Sequence, residues 1–172
     1  MKTSLKLVLP NYTSPIVRRR TRSGVLNVIP RGDVSLIAPP DFGDPWPMMG
    51  GLFVGGVSSP DDDRARDYWL VVSRCHRVLP WYAAMTWACD LRVNGIGGWT
   101  LPSRAEMSLM YTTSRKVFKL VPHWTKAQLA WDSSEAFSFD FKDGFCTYLH
   151  DTSEGLIARA VRRIPMLMGN DE

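Results

Sequence analysis

Gly97-Gly98-Trp99-Thr100-Leu101-Pro102-Ser103-Arg104-Ala105-Glu106 is the stretch on which the reading of the fold turns. The paired glycines and Pro102 bracket Trp99 and Leu101, so the segment enters as turn and short extended backbone. Ser103 and Glu106 then stand at the spacing of a capping box. The serine hydroxyl accepts from the Glu106 N–H while the glutamate reaches back to the Ser103 N–H. A helix is therefore predicted from Arg104 onward, with Met107, Met110 and Tyr111 facing inward. Those residues are read as core packing, with no cofactor role.

Working outward, a second helix precedes this stretch. Pro80 suits a first helical position, and Trp81, Ala84, Met85, Ala88 and Leu91 follow the spacing of a buried stripe, with Asn94-Gly95 as the end signal. Earlier still, Gly50-Gly51 and Gly55-Gly56 bracket a short strand at Leu52-Phe53-Val54, and Tyr68 to Val72 reads as a buried strand. On the other side, Phe137, Phe139 and Phe141 alternate with polar residues up to Asp143-Gly144, a pair favoured in two-residue type I′ turns. That turn predicts Phe141 opposite Cys146, Phe139 opposite Tyr148 and Phe137 opposite His150. A last strand, from about Leu156 to Ile164, carries Arg159 and Arg162, both read as structural. Short antiparallel strands, two helices and a late hairpin give an α+β class.

The bulk properties agree with a folded domain. With 45% hydrophobic and 22% charged residues, a chain of 172 residues can bury a core. Its apolar runs fall far below the roughly 20 residues of a membrane span, so no membrane span is expected. Met1 to Pro10 has no sustained apolar h-region, and no signal peptide is expected. Three cysteines without a Cys-x-x-Cys pair point to a reducing compartment, with Cys75, Cys89 and Cys146 as small buried hydrophobes.

Charge and proline divide the chain. Residues 1–48 carry the whole net charge of +4 and seven of the 12 prolines, whereas the rest is neutral overall. The expectation is a basic, proline-rich extended arm over 1–48, a body over 49–168 and a tail over 169–172. Leu5 to Leu9 and Val25 to Ile29 are extended runs suited to adding strands to a neighbouring subunit. Arg18, Arg19, Arg20 and Arg22 are candidates for assembly or for an acidic partner, or form a solvated loop. By charge, nucleic acid is a partner only through the arm.

The decisive stretch also resembles a known family. Gly97 to Glu106 is similar to the glycine–Trp-Arg-Leu-Pro-Thr-x-x-Glu element of the bacterial and phage family named after the C-terminal domain of the Legionella collagen-like adhesin. His123-Trp124-Thr125-Lys126-Ala127-Gln128 resembles its Tyr-Trp-Ser-Ser-Thr-Glu element, Ala136 to Gly144 its aromatic–Asp-Phe-x-x-Gly hairpin, and Arg159-Ala160-Val161-Arg162 its closing Arg-x-Val-Arg. The segment from Leu79 to Ala88 resembles the helix before the Trp-Leu-Pro element. The resemblance covers about Leu52 to Ile164, with departures at Thr125-Lys126 and Gln128. It implies a C-type-lectin-like fold, a surface used for binding, and frequent assembly as trimers.

Cys146 has no second cysteine beside it, as the formylglycine-generating relatives of this fold would require, and the calcium-site tripeptide of sugar-binding lectins is missing. Calcium-free binding stays open. His76, His123 and His150 have no metal-ligand spacing, and no nucleophile elbow or phosphate loop occurs. No enzyme activity, metal or cofactor is expected. For ligand binding the candidates are Lys126, Gln128, Trp131 and Glu135. Trp131 is either an aromatic contact residue or a core filler. The expected function is a phage virion-associated subunit of tail, attachment apparatus or capsid surface, assembled in the host cytoplasm. It would be a homo-oligomer whose partners are other virion subunits or a host surface molecule. The alternative is an intracellular phage accessory or inhibitor protein, binding a host protein or nucleic acid through the arm.

Overall fold

Strands β3 (Tyr68–Leu79) and β7 (Leu156–Pro165) form an antiparallel pair at the centre of the structure. The computed structural model describes residues 39–58, 67–146 and 148–166, and its elements fall in the unit Pro39–Pro165. Beside β3 lie β2 (Gly51–Val57) and the short β1 (Pro45–Trp46). Beyond β7 lie β4 (Pro122–Leu129), β5 (Asp132–Asp140) and β6 (Tyr148–Asp151). The order is β1-β2-β3-β7-β4-β5-β6, antiparallel except for a single parallel pair, His123 with Ile157, between β4 and β7. Helices α1 (Trp81–Asp90) and α2 (Arg104–Ser114) both fall between β3 and β4 in sequence. The α+β class thus holds, with two helices and seven strands among the described residues. No helix there is long and apolar enough to cross a membrane.

Each helix buries the face its sequence marks. In α2 the capping box forms in full: Ser103 Oγ accepts from the Glu106 N–H, and Glu106 accepts from the Ser103 N–H at 2.7 Å. Met107 and Met110 join Leu52, Val54, Leu70, Val72, Phe139, Phe141 and Val161 in one core cluster. In α1, Trp81, Ala84 and Ala88 are buried. Pro80 is its N-cap, one residue before the expected position, and the helix stops at Asp90. Asn94 and Gly95 (φ 53° and 80°) instead form a separate tight turn, closed by reciprocal Val93–Ile96 hydrogen bonds.

The type I′ turn expected at Asp143-Gly144 does not form. Such a turn needs positive φ at both central residues, and only Gly144 has it. Asp140 N–H bonds Phe145 O, enclosing a four-residue loop, and the Asp140 carboxylate accepts from the Lys142 N–H. The register is therefore slipped by one: Ser138 faces Tyr148, Phe137 faces Leu149 and Ala136 faces His150. The cause lies in Phe141. Its ring is fully buried and stacks on Phe118 at 4.1 Å and 4°, which draws it out of the ladder and into the core.

Two further expectations need correction. The body begins before residue 49: β1 pairs with β2, and Trp46 and Met49 are 3% and 1% exposed. Residues 39–48 therefore pack with the sheet, because Trp46 sets its ring edge-on against Phe53. The rest of the arm, including Arg18, Arg19, Arg20 and Arg22, lies outside the described residues. Secondly, Cys75 and Cys89 are exposed and only Cys146 packs against the core. Cys75 follows the point where β3 leaves the core, and Cys89 lies off the buried stripe of α1.

Candidate binding surface

The β4–β5 hairpin carries the sequence-predicted ligand residues. Its last pair is Leu129 with Asp132, so Ala130 and Trp131 occupy the tip. There the Trp131 side chain has no neighbours to bury it and is 83% exposed. The core alternative for Trp131 is thereby removed. The turn is fixed from within: Asp132 Oδ1 accepts from the Ser134 N–H at 2.8 Å and from its hydroxyl at 2.6 Å. Those bonds hold the Asp132 carboxyl below its ordinary value.

Gln128 lies one step below the tip and forms a latch. Its Nε2 donates to Tyr82 Oη at 2.8 Å and to Ser133 O at 2.7 Å, while Tyr82 Oη points back to Ser133 O at 3.4 Å. Tyr82 sits in the first turn of α1, 55% exposed, edge-on to Trp81. Trp81 in turn donates its indole N–H to Thr125 O at 2.8 Å, under the hairpin. The loop after β6 completes the support. Thr152 N–H bonds Ser134 O at 2.7 Å, and Thr152 O receives the Trp81 N–H at 2.9 Å. Exposed aromatic side chains on a hairpin and a helix tied together by such anchors make a preorganised contact surface, which limits the ordering needed on binding.

The other two candidates share the hairpin but not the latch. Lys126 is exposed and Glu135 half-buried opposite Asp151. Neither side chain makes a hydrogen bond or ion pair among the described residues. Tyr82 is not among the ligand candidates that the sequence marks. The signal was available: it is an aromatic off the Trp81–Ala84–Ala88 stripe of an amphipathic helix, and such a residue must face outward.

Buried charged groups elsewhere in the unit tie its strands to α2 and to neighbouring backbone. Glu106, 1% exposed, receives both Nε and Nη2 of Arg163 at 2.6 and 2.8 Å and the Tyr68 hydroxyl at 2.9 Å. Arg159 donates to the carbonyls of Ser73 and Val117, and Arg162 to that of Met49, as the reading of both as structural expects. His76 is exposed, His123 buried and His150 paired with Glu154. No three potential metal ligands converge among the described residues. No protein-family model matches the chain, and no curated protein matches it.

Proposed function

We propose that the chain is a non-catalytic binding or assembly protein with a C-type-lectin-like body, a virion-associated subunit of a phage, and that its partner is engaged at the tip of the β4–β5 hairpin. The observation that carries this reading is the exposure of Trp131 at the hairpin tip and of Tyr82, whose hydroxyl is bonded by Gln128 of the same hairpin. Aromatic side chains so placed contribute large contact area with little loss of conformational freedom. The lectin-like part rests on topology as well as on the motifs quoted above. β3 and β7 pair along nearly their whole lengths and enclose both helices and β4 to β6 between them. Trp99, Trp124 and the Gly144 bend all belong to that one unit.

The test is retention of the full chain on a glycan array and on immobilised bacterial envelope. A contact residue at the centre of an interface contributes about 2 kcal/mol or more, roughly 30-fold in affinity. Trp131→Ala is expected to lose that much while its unfolding midpoint stays put, and Trp131→Phe to recover part of it. Equal retention of parent and Trp131→Ala would sink the assignment of the surface. The assembly role is checked separately by mass in solution, where a strict monomer at every concentration argues against it.

A further inference from the structure

Arg159 is 7% exposed, yet no carboxylate bonds its guanidinium among the described residues. Neither the Arg163–Glu106 nor the His150–Glu154 ion pair involves it. The Arg159 guanidinium has two backbone carbonyls, Ser73 O and Val117 O, and the face of Phe118 at 4.4 Å. A guanidinium carries five N–H donors. Nε and Nη1 are engaged, whereas Nη2 makes no hydrogen bond among the described residues. Nor is Nη2 sealed off. The fully buried side-chain polar atoms without a partner there are Trp46 Nε1 and Ser138 Oγ, so Nη2 is not completely enclosed.

The backbone beside Arg159 is opened. β3 departs from the β7 ladder between Val72 and His76, and Ser73 Oγ bonds Cys75 O at 2.8 Å across the bulge. Bulges re-aim side chains and leave ladder groups unpaired. His76, exposed, rejoins the ladder directly opposite Arg159, and Cys75 lies within electrostatic reach of the guanidinium. His123 also faces this corner, its Nδ1–H held by Val121 O at 2.7 Å. Asp140 acts on His123 electrostatically, but its Oδ1 is engaged by the Lys142 N–H.

We propose that Arg159, with His76 at the rim of the bulge, forms an oxyanion-binding site that takes a single carboxylate or phosphate group. A buried cation is expensive to leave without a counter-charge, and charge-assisted hydrogen bonds from Nη2 and the imidazole satisfy both donors and charge. The site is separate from the Trp131 surface and does not depend on it.

The experiment follows the backbone amides of Ser73 to His76 and Val117 to Phe118, with the Arg159 Nε–H, in the isotope-labelled full chain. Sodium phosphate and sodium acetate are titrated in turn, at constant ionic strength set with sodium chloride. Saturable shifts confined to these groups are expected, and the salt that saturates identifies the group bound. His76→Ala, on an exposed rim, is expected to weaken binding about tenfold through loss of one hydrogen bond to a charged ligand, and Arg159→Met to abolish it. If Arg159→Met does not fold, the parent and His76→Ala decide between them. Shifts linear in both salts, shifts spread over exposed lysines, or unchanged affinity in His76→Ala would each overturn the site.

Discussion

Glu106 serves α2 and the sheet with the same carboxylate, closing the capping box while holding Arg163 and Tyr68. Removing its charge strands a partly buried guanidinium, so Glu106→Gln is expected to lower the unfolding free energy by about 3–5 kcal/mol. Urea unfolding at pH 7 measures it. Glu106 and His123, both buried, also divide the acid limb of stability. Burial pushes His123 down to about 4 from an ordinary 6.5, so the fold keeps the ring neutral where the unfolded chain already takes up a proton. Stability is full above pH 6.5 and falls as pH drops from 6.5 to 4, by about 3 kcal/mol. His123→Gln should flatten that window. Burial alone would raise the Glu106 carboxyl, but Arg163, the Ser103 N–H and the Tyr68 hydroxyl together hold it below the ordinary 4.5. Its share is present above pH 4.5 and disappears as the pH falls further, a loss Glu106→Gln should abolish. Unfolding series at pH 7, 5 and 3.5 separate the two.

At the scale of elements, the phenylalanine hairpin gives the sharpest contrast. Phe141 is fully buried on Phe118 and His123, whereas Phe145 is largely exposed. Phe141→Ala is expected to cost about 3–5 kcal/mol, and Phe145→Ala to stay within about 0.5 kcal/mol. Equal effects in a denaturant series would contradict the observed loop. The same hairpin shows where sequence stops being sufficient. The alternation of Phe137, Phe139 and Phe141 marks a strand, but which turn closes it is decided by stacking with Phe118, distant in sequence. Asn94-Gly95 and Asp143-Gly144 look alike locally, yet only the first adopts the tight turn. The capping box, by contrast, depends on four consecutive residues and was fully legible. Ser103→Ala should therefore remove about 1 kcal/mol. Trp131 was legible as a candidate but not as an exposed one, since that required knowing that Leu129 pairs with Asp132.

For the molecule as a whole, the limit of the body is set by burial, which charge and proline counts do not report. Trp46 is a core residue inside a stretch that composition assigns to a basic leader. A chain started at Pro39 and one started at Met49 differ only in residues 39–48. The shorter one is expected to be less stable by about 3–5 kcal/mol, from the loss of Trp46 and the β1 ladder, and thermal unfolding of the two compares them directly. The central pairing of β3 with β7 has a temporal consequence. Arg159 and the Ser73 carbonyl it binds are 86 residues apart, so β3 must wait for nearly all of the unit to be synthesised before its partner exists. Closing so long a loop is entropically slow, and meanwhile β1, β2 and β3 present an unfilled edge. A nascent neighbour's β7 fits that edge equally well, so crowded translation should favour exchanged dimers that dilution before refolding prevents.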